Sequence, residues 1–104
     1  MVEFKEITGA QLQPLIESNK TVLVDFYMPN CGPCSMQKMI LKDLAKTAED
    51  MEIVAMEVSC EPEIMEQYEI STAPFLILFH NGQVANRMLG LQQKATLINA
   101  IQSI

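Results

Sequence analysis

The chain has 104 residues, 49% of them apolar and 19% charged, enough for one modest hydrophobic core and too apolar for a disordered tail. Thirteen acidic residues against seven basic ones give a net charge of −6, a balance that repels phosphate and argues against nucleic-acid and anionic-lipid partners. Apolar runs such as Phe75-Leu76-Ile77-Leu78-Phe79 fall far short of the roughly 20 residues of a membrane span, so no membrane association is expected. No basic stretch followed by an apolar one follows Met1, so no secretory signal is visible and a cytoplasmic location is expected. Without repeats, linkers or low-complexity stretches, residues 1–104 read as one domain.

Val2 to Ile7 alternates apolar and polar residues and predicts a short strand. Thr8-Gly9-Ala10-Gln11 has the spacing of a capping box and opens a helix toward Ser18, which Pro14 should shorten or kink. Thr21 to Met28 is a nearly continuous run of β-formers, the pattern of a strand buried on both faces, with Asp25 inside it. From Cys34 to about Glu49, Met36, Met39/Ile40, Leu44 and Ala48 recur at helical spacing. Ile53 to Val58 predicts another central strand, and Pro62 suits the first turn of a short helix reaching Tyr68. Phe75 to Phe79 and Val84 to Leu89 flank Asn81-Gly82, the signature of a type I′ hairpin. Leu97/Ile98, Ile101 and Ile104 form one apolar stripe on a last helix. The order βαβαβαββα predicts an α/β sandwich around a mixed sheet.

Chemistry concentrates in Pro29-Asn30-Cys31-Gly32-Pro33-Cys34, between a buried strand and a long helix. Three cysteines is an odd count, which excludes a complete internal disulfide framework. Two thiols three residues apart at a helix start can close a small ring. Cys31 at the helix cap faces unpaired N–H groups and the positive end of the dipole, so its thiol should ionise readily and act as nucleophile. Cys34, one turn in, is the shielded resolving thiol. Gly32 lets a partner approach, and Pro33 stiffens the turn and removes one amide donor. A zinc knuckle would need Cys60 and His80 as further ligands. His80 lies six residues of strand beyond Pro74, a span of roughly 20 Å, so that set is not expected to converge and no metal is expected. The four glycines form no phosphate-cradling loop, and the acidic run Glu61, Glu63, Glu66 and Glu69 reads as a solvated face.

Cys31-Gly32-Pro33-Cys34 resembles the active-site tetrapeptide of the thioredoxin family. Val24-Asp25-Phe26, Ala73-Pro74-Phe75, Phe79-His80-Asn81-Gly82 and Gly90 resemble, in register, its buried-aspartate strand, cis-proline loop, hairpin and active-site glycine. The resemblance covers essentially the whole chain. It implies a five-stranded mixed sheet flanked by four helices, and a monomer that reduces disulfides in protein substrates and is recharged by a thioredoxin reductase. It implies no cofactor beyond the Cys31–Cys34 disulfide, with Asp25 accepting the Cys34 proton and Asn30, Ala73, Pro74 and Gly90 meeting the substrate. A cis bond before Pro74 rests on the resemblance alone, since most X–Pro bonds are trans. Departures from the family pattern are Asn30 and Tyr27 in place of Trp, Met56 where a Lys usually accompanies the aspartate, and Cys60 where many members have Asp. Without that Lys, burial should raise the Asp25 pKa. Cys60 reads either as a small residue ending a strand or as a rim thiol open to a reversible cap, in neither case bonded to Cys31 or Cys34. The altered rim leaves a second reading, a redox-responsive binding module dedicated to one protein partner.

Overall fold

Short strands rich in β-branched and aromatic residues alternate with helices from one end of the chain to the other. In the computed structural model, which describes residues 1–104, they are β1 (Phe4–Glu6), α1 (Gly9–Ser18), β2 (Thr21–Tyr27), α2 (Gly32–Ala45), β3 (Glu52–Glu57), α3 (Pro62–Gln67), β4 (Phe75–His80), β5 (Gln83–Leu89) and α4 (Lys94–Gln102). The sheet order is β1-β3-β2-β4-β5, with β1, β3 and β2 parallel and β4 and β5 antiparallel additions. This is the expected five-stranded mixed sheet with four helices.

Apolar residues on both faces of β2 explain its unbroken sequence pattern. Val22, Val24 and Phe26 pack with Val54, Met56, Leu12 and Ile16 on the face covered by α1. Leu23 packs with Ile53, Leu76, Leu41, Leu44 and Leu97 on the face covered by α2 and α4. Asp25 and Tyr27 share the Leu23 face, because side chains alternate along a strand. Both therefore point toward the helix that carries the cysteines.

Three expectations need correction. Pro14 lies inside α1 without shortening it, since the helix reaches Ser18 as its start signal predicts. The donor that Pro14 removes would have served Ala10, and both residues are exposed, so water can satisfy that carbonyl. The buried stripe of α2 is Cys34, Gln37, Leu41, Leu44 and Ala45, whereas Met36 and Met39 are exposed. The stripe is rotated from the apolar pattern because a glutamine, Gln37, occupies a core position. Finally, β3 ends at Glu57, and Val58–Cys60 turn away as a short 3-10 helix. The hairpin matches its signature: Asn81 and Gly82 both have positive φ, 53° and 78°, as a type I′ turn requires. The capping box also forms, with the Thr8 N–H donating to Gln11 Oε1 at 2.8 Å.

Candidate active site

The chain leaves β2 at Tyr27 and enters α2 at Gly32, which puts Cys31 at the helix cap with extended backbone. Cys31 and Cys34 are joined in a disulfide with their Cα atoms 5.3 Å apart. The Cys34 N–H donates to Cys31 Sγ at 3.2 Å, so a free helix-end amide is aimed at the sulfur. Cys34 is 3% exposed, while Cys31 is only partly covered. Pro33 sits in the first turn, where its missing N–H costs nothing. A Cβ added at Gly32 would meet no atom within 4 Å, so the space beside Gly32 is open.

Two further segments reach the same place. The Ala73–Pro74 bond is cis and precedes β4, and the Ala73 carbonyl oxygen lies 3.8 Å from Cys31 Sγ. Gly90, at φ 82°, follows β5 and donates its N–H to the Pro74 carbonyl at 2.9 Å. Sequence reasoning missed what holds this third segment. Gln37 is fully buried, and its amide both donates to the Gln92 carbonyl at 3.0 Å and accepts from the Gln92 N–H at 2.7 Å. A polar residue three positions after Cys34, on the buried helix face, was the available signal. Gln37→Leu leaves both Gln92 backbone groups unpaired, and urea unfolding should show a loss of about 2–4 kcal/mol.

Asp25 is completely buried, and neither carboxylate oxygen has a hydrogen-bond partner. Its cross-strand neighbours are Ala55 on β3 and Leu76 on β4, which offer no polar atom. Burial is accordingly the main influence and pushes its pKa up to about 7; Lys38 opposes the shift and Glu6 adds to it. The raised value agrees with the sequence expectation, whereas the neighbour differs. Met56 pairs with Phe26 and packs on the opposite face of the sheet, so the position beside Asp25 is Ala55.

A sequence model described as Thioredoxin matches residues 3–103 of this chain. The chain belongs to the thioredoxin family. A thioredoxin-like protein of Synechocystis is 42% identical over 89 residues, 85% of either chain. A Mycobacterium leprae protein named bifunctional thioredoxin reductase/thioredoxin is 34% identical over 101 residues, 95% of this chain and 22% of that one. Among solved structures, a mutant thioredoxin from Halobacterium salinarum superimposes with a TM-score of 0.89 at 29% identity, covering 97% of this chain and 89% of that one. Thioredoxins are protein-disulfide oxidoreductases, and the Cys31–Cys34 pair equips this member for dithiol–disulfide exchange as a protein-disulfide reductase.

One departure from the usual thioredoxin pattern, Asn30, has a local cause. Asn30 has φ 57° in the turn that follows Pro29. Asn tolerates the left-handed region, which a bulky side chain enters only at a cost of about 1–2 kcal/mol. Tyr27, Met28, Asn30, Cys31, Cys34 and Lys38 line a groove of about 400 Å³ beside the disulfide. Cys60 is exposed and free, and, as expected, it is not bonded to Cys31 or Cys34. It is nevertheless guarded: its thiol donates to Glu57 Oε2 at 2.8 Å, and that carboxylate raises its pKa above the usual thiol value. Glu57→Gln should therefore speed alkylation of Cys60 by iodoacetamide at neutral pH severalfold. An unchanged rate would show that Glu57 does not guard the thiol. His80 is far from this chemistry, with Nδ1 3.2 Å from Thr21 Oγ1 where β2 begins.

Proposed function

We propose that Cys31 is the nucleophile and Cys34 the resolving thiol, with Asp25 the proton acceptor for Cys34. The observation that carries this assignment is the contrast between partly exposed Cys31, receiving the Cys34 amide, and Cys34 at 3% exposure. In the reduced protein the Cys31 thiolate attacks a substrate disulfide and forms a mixed disulfide. Cys34 then passes its proton to Asp25 and attacks Cys31 Sγ. The Cys31–Cys34 bond forms, and the substrate leaves with two electrons as a dithiol. Gly32 and Pro33 shape the turn between the two sulfurs. Asn30, Ala73, Pro74 and Gly90 meet the substrate, whose backbone would lie against Ala73 in a strand-like contact.

The cycle needs no bound cofactor, only a reductase to return the pair to the dithiol. The Mycobacterium leprae relative, named for both activities, supports a thioredoxin reductase in that role. The protein would work as a cytoplasmic electron carrier, a monomer of one domain over residues 1–104. No helix is long and apolar enough to cross a membrane. Turnover of a generic protein disulfide with dithiothreitol as reductant tests the assignment. A rate well above dithiothreitol alone is expected, and none above it would leave only a binding role.

A further inference from the structure

Asp25 is buried without partners, yet a charge able to act on it stands at the mouth of the neighbouring groove. Lys38 is four residues beyond Cys34, on the same side of α2. Its Nζ lies 3.3 Å from the centroid of the Tyr27 ring, a cation–π seat, and Tyr27 is two residues beyond Asp25 on the same face of β2. Glu6 on β1 completes the arrangement: it accepts from the Tyr27 hydroxyl at 2.6 Å and stands 4.0 Å from Lys38 Nζ. The Lys38 side chain is 31% exposed, so water screens it only partly.

We propose that Lys38, seated on Tyr27 and steadied by Glu6, is a positioning residue that tunes how readily Asp25 takes the proton of Cys34. The proposal rests on the reading of Asp25 as proton acceptor. In the step concerned, the Cys34 Sγ–H proton moves to an Asp25 oxygen. The new thiolate then bonds to Cys31 Sγ and displaces the substrate sulfur, which takes the electron pair of the broken bond. A cation near the carboxylate favours the charged state that can accept this proton, and a second carboxylate opposes it. The groups around Asp25 leave the contest to these two charges. β3 contributes Ala55 and, beside Tyr27, Glu57; β4 contributes Leu76; α2, packed over this face of the sheet, carries Cys34 and Lys38 on one side. Tyr27 itself is held in its neutral form by burial and by its bond to Glu6.

The test is a carboxyl carbon NMR titration of Asp25 in the oxidised protein, in the parent, Lys38→Met, Lys38→Arg and Glu6→Gln, alongside the pH profile of disulfide reduction. Lys38→Met should raise the proton affinity of Asp25 about three- to tenfold, the size of a single charge acting through a partly solvated site. Lys38→Arg should restore the parent midpoint, and Glu6→Gln should move it the opposite way. The alkaline shift of the Lys38→Met activity profile should match its titration. An unchanged midpoint in Lys38→Met overturns the proposal. So does movement of Lys38→Met and Glu6→Gln in one direction, which would mark a packing disturbance. The underlying reading fails separately. If Asp25→Asn keeps the parent rate and pH profile, Asp25 is not the acceptor, and the tuning role falls with it even where the midpoint moves.

Discussion

Cys31→Ser is expected to reduce disulfide turnover to the rate of dithiothreitol alone, while Cys34→Ser should accumulate mixed disulfides with its substrates. The asymmetry follows from one helix turn. Cys31 caps α2, accepts the Cys34 amide and is accessible, whereas Cys34 is 3% exposed. In the reduced wild type, iodoacetamide at neutral pH should label Cys31 well before Cys34, because the thiolate is the reacting species and the helix end favours it. Peptide mapping after brief labelling decides the order. Retention of most activity in Cys31→Ser would refute the assignment of the nucleophile.

Asp25→Asn should slow the Cys34 step and yet make the fold more stable at pH 8. The sign comes from linkage. The Asp25 pKa is about 7 in the folded protein against an ordinary 3.8. Below pH 3.8 both states are protonated and the side chain costs nothing electrostatically. As pH rises, the unfolded carboxyl releases its proton while the buried one keeps it, so stability falls until about pH 7 and then levels off. Holding the carboxyl at about 7 rather than 3.8 corresponds to on the order of 4 kcal/mol. An Asn cannot ionise and escapes that loss, but its amide would still be buried without partners, at about 1–3 kcal/mol. The net expectation is a gain of about 1–3 kcal/mol at pH 8, worth several degrees in melting temperature, and no gain near pH 4. Urea unfolding at both pH values is the check, and equal effects at the two would show that ionisation is not the cause.

Much of the fold is legible because local signals and global packing agree. Thr21 to Tyr27 reads as a doubly buried strand and is one. Asn81-Gly82 demands the turn that forms. The redox pair is legible too, since its chemistry depends on spacing within four residues. What escaped depended on partners distant in the chain. Gln37 looks like a surface residue until Gln92, 55 positions away, supplies both of its hydrogen bonds. Pro14 looks like a helix breaker until its exposure is known. Ala55, not Met56, faces Asp25, because strand register fixes which side chain faces which neighbour and a slip of one residue turns it to the other face. The cis bond at Pro74 came from the family resemblance, and no local pattern distinguishes it.

The two sulfurs are separated by three positions in the chain, whereas the segments around Ala73 and Gly90 that surround them arrive from some 40 and 60 positions away. Closing the small ring requires almost no ordering of the chain, but assembling its surroundings requires β2, β4 and β5 to pair. An unfolded molecule can therefore keep the ring closed, but it has lost the helix end that activates Cys31 and the means of choosing whom to exchange with. Destabilising changes anywhere in the sheet would be felt first as lost selectivity: the oxidised, disordered chain becomes an indiscriminate donor of disulfides.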